Sequence, residues 1–460
     1  ISALAAILIG LSLYMAAFIS EVYRAGIQAV PKGHREAAQV LGLTPAQSFI
    51  RIVMPQAIRM TLPPLASNFV QLIKFSSLGA VISVSEITRR GMAGLGASLG
   101  ATLPAALPLA ARPALAGVGA ERDRDNWQVF CGRWLDRSGR VIDSANRGVS
   151  HSEGQGTGLI FAVRHGDRAT FERILAWTEG ALRRPGDALH PWRWTPGAAI
   201  PVDDPNNASD GDLLIAWALV LAHDRWGEAA HRSLAEAIAR DLLRLCTLRQ
   251  GASLLLLPGV QGFTHPDRIV VNPSYWLFGA LRDLDRAFPD PAWGALRDTG
   301  LSLMRQARFG RWGLPPDWLS LPRGGGNPAP APPWPPRFSW DAVRVPLHLV
   351  WGGHGREPAV RACADFWADA TRPFMPAWAD LRTGALAPYA ATAGILAVAQ
   401  LTMAAQAGWG RHTALPRVVA ARDYYAAKLV MMAHYAWDAH DLDMTEEPRM
   451  RQRQAQARQG

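Results

Sequence analysis

Three short segments place carboxyl groups in settings suited to proton transfer. Glu153 stands in His151-Ser152-Glu153-Gly154-Gln155-Gly156, where glycines and hydrogen-bonding neighbours would let the backbone come close to a ligand. Asp210 and Asp212 stand in Asn206-Asn207-Ala208-Ser209-Asp210-Gly211-Asp212, directly ahead of an apolar run. Asp341 stands in Phe338-Ser339-Trp340-Asp341-Ala342-Val343-Arg344-Val345-Pro346, among apolar and aromatic residues that would raise its pKa on burial. Cleavage of a glycosidic bond needs one carboxylic acid to protonate the departing oxygen and one carboxylate to activate water or attack the anomeric carbon. Each segment also has a plain structural reading. Asp210 suits an N-cap or the first turn of a helix, where it favours the dipole, and Asp341 suits an ion pair with Arg344.

The elements that must hold these groups are mainly helical from Asp123 onward. Leu234, Ile238, Leu242 and Leu245 recur at helical spacing, as do Trp276, Leu277, Ala280, Leu281, Leu284 and Phe288. A third face carries Trp293, Leu296, Leu303 and Met304, and strand alternation is scarce. Gly/Pro-rich loops such as Pro322 to Pro336 are long enough to line a cleft. All eighteen Trp lie after residue 126. Their indole faces suit stacking on sugar rings, and core packing accounts equally for many of them. The tail 446–460, with its Arg and Gln, is expected to be disordered.

The first ninety residues have a different character. Ile1 to Ser20 carries no charge and is just long enough to span a bilayer, and a second apolar stretch, Leu62 to Val84, is interrupted only by Lys74. The basic residues between them favour the cytoplasmic side for that loop. Thr88-Arg89-Arg90 then precedes an Ala/Leu/Gly-rich stretch ending in Ala114-Leu115-Ala116, with the basic, apolar and small-residue parts of an export signal; a Pro-interrupted linker is the alternative. The expected organisation is a partial transmembrane segment over 1–91, a signal-like linker over 92–120, a catalytic domain over 121–445 and the tail.

Two resemblances refine this. The loop Glu36-Ala37-Ala38, Gly42, Ile52-Val53-Met54-Pro55 resembles the signature loop of binding-protein-dependent ABC importer permeases, which docks on an ATPase subunit. Glu21 to Gly26 and Ser76 to Gly79 look like the polar amino-acid branch. Met54 stands where that family usually has Leu. Other spanning helices of the family are not in the chain, and its opening without Met fits a fragment joined near Arg90 to a second coding region. The docking loop is therefore expected to be vestigial.

The second resemblance is to glycoside hydrolase family 8, and within it to the endoglucanase encoded with bacterial cellulose synthesis machinery. It runs in order through Arg140 to Asp143, Ser152 to Gly156, Trp192 to Trp194, Asn206 to Asp212, Leu257 to Gly259, Asn272 to Trp276, Gly313 to Trp318 and Phe338 to Pro346. It implies a mainly α fold, an (α/α)6 barrel with a groove across one end, and an inverting mechanism without metal or organic cofactor. In such an enzyme Glu153 is the general acid and Asp341 the general base. Asp210 binds and helps distort the sugar at the cleavage point, and Arg344 is the base's cationic neighbour. Trp194 and Tyr275 are candidate sugar contacts. Thr157 and Trp340 depart from the Tyr that relatives often carry beside the acid and the base, which bears on subsite shape.

Composition limits the other readings. The net charge is +10, of which +5 falls in residues 1–91, a spread unlike the concentrated basic face that nucleic-acid binding needs. Cys131, Cys246 and Cys363 are far apart with no C-x-x-C spacing, which argues against a zinc site or disulfide framework and for buried small side chains. The expected substrate is a β-1,4-glucan, cellulose first, then mixed-linkage glucan, chitosan or xylan. The expected place is the periplasm, tethered to the inner membrane or near a cellulose synthase complex. A permease fragment carrying a passenger domain and a non-catalytic polysaccharide-binding protein are the competing classes.

Overall fold

The computed structural model describes residues 124–408 and 415–457, with Ser20, residues 44–49 and Met54, and side-chain surroundings as far as residue 440. Backbone proximity divides the chain into two units, Ile1–Pro113 and Ala114–Gly460. In the first, the turn Pro45–Ser48 is closed by a capping box: the Gln47 N–H donates to Thr44 Oγ1 (3.3 Å) and the Thr44 N–H to Gln47 Oε1 (3.0 Å). The expected spans at 1–20 and 62–84, apart from Ser20, and the docking-loop residues Glu36, Ala37, Ala38 and Gly42 lie outside the described residues. Among the described residues no helix is long and apolar enough to cross a membrane.

The second unit contains, among its described residues, eleven α-helices and nine strands of two to four residues. The helices are α1 (124–134), α2 (Ser152–His165), α3 (Arg168–Ala181), α4 (Ser209–Trp226), α5 (Ala229–Leu245) and α6 (Phe278–Ala287). They continue with α7 (Pro291–Gln306), α8 (Arg344–Trp351), α9 (Pro358–Trp367), α10 (Ala393–Gln406) and α11 (Tyr424–Ala457). Helices α2, α4 and α8 are apolar nearly all round and correspondingly buried on almost every face. Helices α3, α5 and α7 bury one stripe each, such as Ala235, Ile238, Ala239 and Leu242 on α5. From α2 to α5 a helix buried nearly all round thus alternates with one that buries a single stripe. Helix α2 packs on α3 and α4, α4 on α5 and α6, α6 on α7 and α8, and α8 on α9, α10 and α11. Phe161 of α2 meets Tyr435 of α11 edge-on with centroids 5.3 Å apart, which closes the circuit.

Two glycines decide how close the inner helices come. A Cβ on Gly156 would sit 2.6 Å from Leu214 Cβ, and one on Gly211 would sit 2.2 Å from Ser152 Oγ and 2.8 Å from the Glu153 backbone nitrogen. Gly156 and Gly211 therefore serve the contact between α2 and α4, and Gly154 faces Tyr424, where the sequence suggested approach to a ligand. Gly166 and Gly227 end these two helices in the left-handed region, at φ 70° and 75°.

The strands form small antiparallel ladders at the helix ends. β1 (Ser150–His151) pairs with β2 (Arg193–Trp194) and runs straight into α2. β3 (Thr247–Gln250) pairs with β4 (Ser253–Leu256); β5 (Arg268–Val271), β6 (Leu319–Pro322) and β7 (Ala329–Pro330) form a three-stranded sheet. β8 (Arg337–Phe338) pairs with β9 (Ala379–Asp380) and leads through one turn into α8. The stretch Pro322 to Pro336, read as loop, thus contributes β7. Helix α11 also continues to Ala457, through the segment for which disorder was expected. Met450 to Ala457 consists of Met, Arg, Gln and Ala, all strong helix formers, and that propensity favours the extension.

Candidate active site

The site assembles around one guanidinium. Arg344, the first residue of α8, is 5% exposed. Its Nη1 donates to Glu153 Oε1 and to Asp210 Oδ2 (3.2 Å), and its Nη2 donates to Asp341 Oδ1 (2.6 Å). Glu153 and Asp210 reach it from the first turns of α2 and α4, where a carboxylate also favours the helix dipole. Asp341 reaches it from the turn before α8, its carbonyl accepting the Arg344 N–H at 3.0 Å. Both structural readings of the sequence therefore hold together with the functional one: Asp210 is a first-turn residue and Asp341 pairs with Arg344.

A second cation, absent from the sequence reading, belongs to the same cluster. Lys428 of α11 is 1% exposed and its Nζ donates to Glu153 Oε1 at 2.6 Å. The signal available in the sequence was a charge inside the apolar run Ala426-Ala427-Lys428-Leu429-Val430.

These charges pull the carboxyls apart. Burial pushes Glu153 up, but Arg344, Lys428 and the Lys428 hydrogen bond together outweigh it and hold the carboxyl at about 2. Asp210 is pushed up to about 7 by burial and by the charge on Glu153, against Arg344 and Lys428. Asp210 is the carboxyl of this pair that keeps a proton toward neutral pH. Asp341 retains 28% side-chain exposure, so the burial expected from its apolar neighbours is partial.

The turn carrying Asp341 is held by a residue that sequence reasoning quoted only as part of a motif. Asp317 Oδ1 accepts the backbone N–H groups of Ser339 (3.1 Å), Asp341 (3.1 Å) and Ala342 (2.8 Å), and its Oδ2 accepts the Ser339 hydroxyl. Burial and the neighbouring Asp341 charge raise Asp317 to about 7, against these hydrogen bonds. On the opposite side the Tyr425 hydroxyl donates to the Trp340 carbonyl, and the Trp340 indole, 43% exposed, stands edge-on to the Tyr425 ring. Thr157, the other departure beside the acid, is buried and turns its hydroxyl back to the Glu153 carbonyl (2.6 Å).

Of the two candidate sugar contacts, the structure brings one to the cluster. The Arg344 guanidinium lies 5.8 Å from the centroid of the Tyr275 ring, which neighbours Trp318 at 6.2 Å. Trp318 is sandwiched between Phe263 and Trp334, with centroids 5.8 and 4.5 Å away. Trp194 instead packs against Arg140 (5.1 Å) and Trp177 (5.6 Å). Its neighbour Trp192 stacks on His151 (6.1 Å, 10° between planes), two residues from Glu153, and donates to Asp204 (2.8 Å).

Asp212, two residues beyond Asp210 in the same first turn, has a structural partner set. Its carboxylate accepts the His190 backbone N–H (2.9 Å) and the Asn207 amide (2.8 Å), and meets His190 Nδ1 at 2.8 Å. Burial pulls His190 down, but hydrogen bonds to Asp212 and Glu179 win and raise it to about 9. The three cysteines are free; Cys246 and Cys363 are buried and Cys131 half-buried. Among the described residues no group of three or more His, Cys, Asp or Glu side chains is arranged to hold a metal ion.

Comparison with known proteins agrees with this chemistry. Residues 104–440 match the family described as Glycosyl hydrolases family 8. A probable endoglucanase of Novacetimonas hansenii is 41% identical over 329 residues, covering 71% of this chain and 94% of that protein. An endoglucanase of Cellulomonas uda is 38% identical over 278 residues, 60% of this chain and 77% of that one. The solved structure of endo-beta-1,4-glucanase CMCax from Acetobacter xylinum superposes with a TM-score of 0.66 at 39% identity, covering 70% of this chain and 99% of that one. Residues 1–111 match a different family, the binding-protein-dependent transport system inner membrane component. There a glutamate/glutamine/aspartate/asparagine permease of Rhodobacter capsulatus is 51% identical over 89 residues, 19% of this chain and 20% of that protein. Helix-rich, with its carboxylates gathered on one guanidinium and endoglucanases among its relatives, the chain belongs to glycosyl hydrolase family 8 and is a glycoside hydrolase.

Proposed function

We propose that the second unit is an (α/α)6 barrel that cleaves β-1,4-glucosidic bonds within cellulose or a related glucan, with inversion at the anomeric carbon. Glu153 is its general acid and Asp341 its general base. The observation that carries this reading is the convergence of Glu153, Asp210 and Asp341 on Arg344. Asp341 keeps solvent access, as a base that activates water requires, and pairs with Arg344 at 2.6 Å. Asp210 binds the sugar at the cleavage point and Tyr275 offers an aromatic contact beside it. Inversion needs a water between base and sugar, hence carboxyl groups about 6.5 to 9.5 Å apart.

The proton must move before Glu153 can act, because Arg344 and Lys428 hold it ionised. A sugar entering the cluster displaces water and competes for Arg344, which weakens the stabilisation of the Glu153 charge. A second reading, with Asp210 as donor, is favoured by the proton that Asp210 retains. An aryl glucoside with an activated leaving group separates the two, since a variant lacking the general acid loses activity on glucan but keeps it on such a substrate. Glu153→Gln and Asp341→Asn should each lower reducing-end release from carboxymethylcellulose by orders of magnitude. Glu153→Gln alone should be spared on the activated substrate; sparing in Asp210→Asn instead would transfer the acid role. Proton NMR of the first-formed product should show the α-anomer.

We place the activity in the periplasm, alongside cellulose export, with residues 1–91 as a membrane tether. The match of residues 1–111 to a family described as an inner membrane component bears on the tether alone. Fractionation of cells expressing the full chain tests it: recovery in the cytosolic fraction would reject it.

A further inference from the structure

Lys428 is an unusual residue in this chain. Of forty-eight Lys and Arg residues only three are Lys, at positions 32, 74 and 428, so every other basic side chain after residue 74 is Arg. The one exception is fully enclosed and bonded to Glu153. An ammonium is a compact charge on a flexible stem, whereas a guanidinium is a planar fork. Arg344 already spreads its fork over three carboxylates, and Lys428 adds a point charge from the opposite helix.

Both cations use the same oxygen. Arg344 Nη1 and Lys428 Nζ each donate to Oε1 of Glu153. An oxygen accepting two charged donors at hydrogen-bond range is a poor place for a proton, so protonation falls to Oε2. We propose that Lys428 is a positioning residue for the reaction: with Arg344 it occupies Oε1 of Glu153, so that the proton passed to the leaving oxygen is carried on Oε2. This rests on the reading of Glu153 as general acid. Oε2 gives its proton to the leaving oxygen as the glycosidic C–O bond breaks, a water bonds its oxygen to the anomeric carbon and yields a proton to Asp341, and the resulting Glu153 carboxylate charge forms beside two cations already in place. That arrangement stabilises the product form of the acid and costs no reorganisation when the charge appears.

The same geometry makes Lys428 a determinant of when Glu153 ionises. The other groups facing Glu153 contribute little fixed positive charge. His151 on β1 is held below its ordinary value, first by burial, and His348 on α8 is held at about 3 by burial and then Arg344, so both stay neutral near pH 7. Burial raises the phenols of Tyr275, Tyr424 and Tyr425 well above their ordinary value. Asp210 and Asp341 add only negative charge. Arg344 and Lys428 are thus the pair that hold Glu153 down, and Arg344 is shared with two other carboxylates.

The test compares full-length wild type, Lys428→Met, Lys428→Gln and Glu153→Gln, each checked for folding by circular dichroism. Each is assayed on carboxymethylcellulose and on a cellooligosaccharide with a dinitrophenolate leaving group. The limb of the kcat/KM profile that vanishes in Glu153→Gln marks the titration of Glu153. Both Lys428 variants should move that limb to higher pH by about one unit or more, the size of a close cationic contact. Lys428→Met should also lose about tenfold in kcat on carboxymethylcellulose while staying within about twofold on the activated substrate. Lys428→Gln, which still donates a hydrogen bond, should keep more of that kcat. A limb that stays in place, or an equal loss on both substrates, would show a merely structural lysine and overturn the proposal. Absence of any limb lost in Glu153→Gln would instead reject Glu153 as the acid.

Discussion

At the scale of single residues, the chemistry depends on carboxyl groups whose surroundings push them in opposite directions. Glu153 is held at about 2 and Asp210 raised to about 7 although both are buried against Arg344. The difference lies in the Lys428 hydrogen bond, which falls on Glu153, and in the charge of Glu153, which raises Asp210. Asp317 shows a different use of a carboxylate, as an acceptor that ties three backbone N–H groups into the turn bearing Asp341. Asp317→Ala should lower kcat on glucan about a hundredfold, as displacement of a reacting group by an ångström does, with KM changed far less. Asp317→Asn keeps the accepting Oδ1 and should lose much less. Steady-state kinetics of the two variants check this, and equal losses would count against the backbone role. Neither the turn nor Lys428 was legible beforehand: Asp317 lay in a recognised motif without a role, and Lys428 lay in an apolar run outside every motif that was singled out.

At the scale of elements, the meeting of α2 and α4 sets the spacing of Glu153 and Asp210. Gly211 has no room for a methyl group, since its Cβ would lie 2.8 Å from the Glu153 backbone nitrogen. Gly211→Ala should therefore cost about 1 to 3 kcal/mol by overpacking and reduce activity as well, because it displaces the first turn of α2. Gly180 on α3 makes the control. Nothing lies within 4 Å of its Cβ position, so Gly180→Ala should be neutral or stabilising by up to about 1 kcal/mol. Denaturant titration of both gives the comparison; the same sign for the two would reject the packing argument. The helices themselves were legible, because the repeats in α5, α6 and α7 follow burial along one stripe. The ladders were not, since two-residue strands such as β1 and β8 carry no alternation to read.

At the scale of the whole molecule, stability is coupled to pH through His190. This side chain is 2% exposed and bonded on both ring nitrogens, to Asp212 and Glu179. Its folded pKa of about 9 lies above the ordinary value, so the folded chain holds a proton that the unfolded chain gives up first. The stabilisation is fully present below about pH 6.5 and is lost as pH rises through about 9. His190→Asn should cost on the order of 3 kcal/mol at pH 6 and progressively less toward pH 10, read from denaturant unfolding at each pH. A difference independent of pH would mean that the imidazole acts through packing alone.

What the sequence determined by itself was the set of reacting groups and their order along the chain. Residue type and local spacing place Glu153, Asp210, Asp341 and Arg344 in motifs that belong to one family, and apolar periodicity writes α5, α6 and α7 among the helices around them. Only the tertiary structure decided what those groups meet. Lys428 reaches Glu153 across 275 residues of chain and Arg344 reaches it across 191, separations over which no local pattern constrains a contact. It also decided that Tyr275 faces the cluster while Trp194 packs elsewhere, and that the glycines serve helix contact. The physical reason is common to all of these. Proton affinity and ring placement follow from burial and from charges that long-range packing brings within a few ångströms, whereas sequence patterning records only which side of an element faces inward.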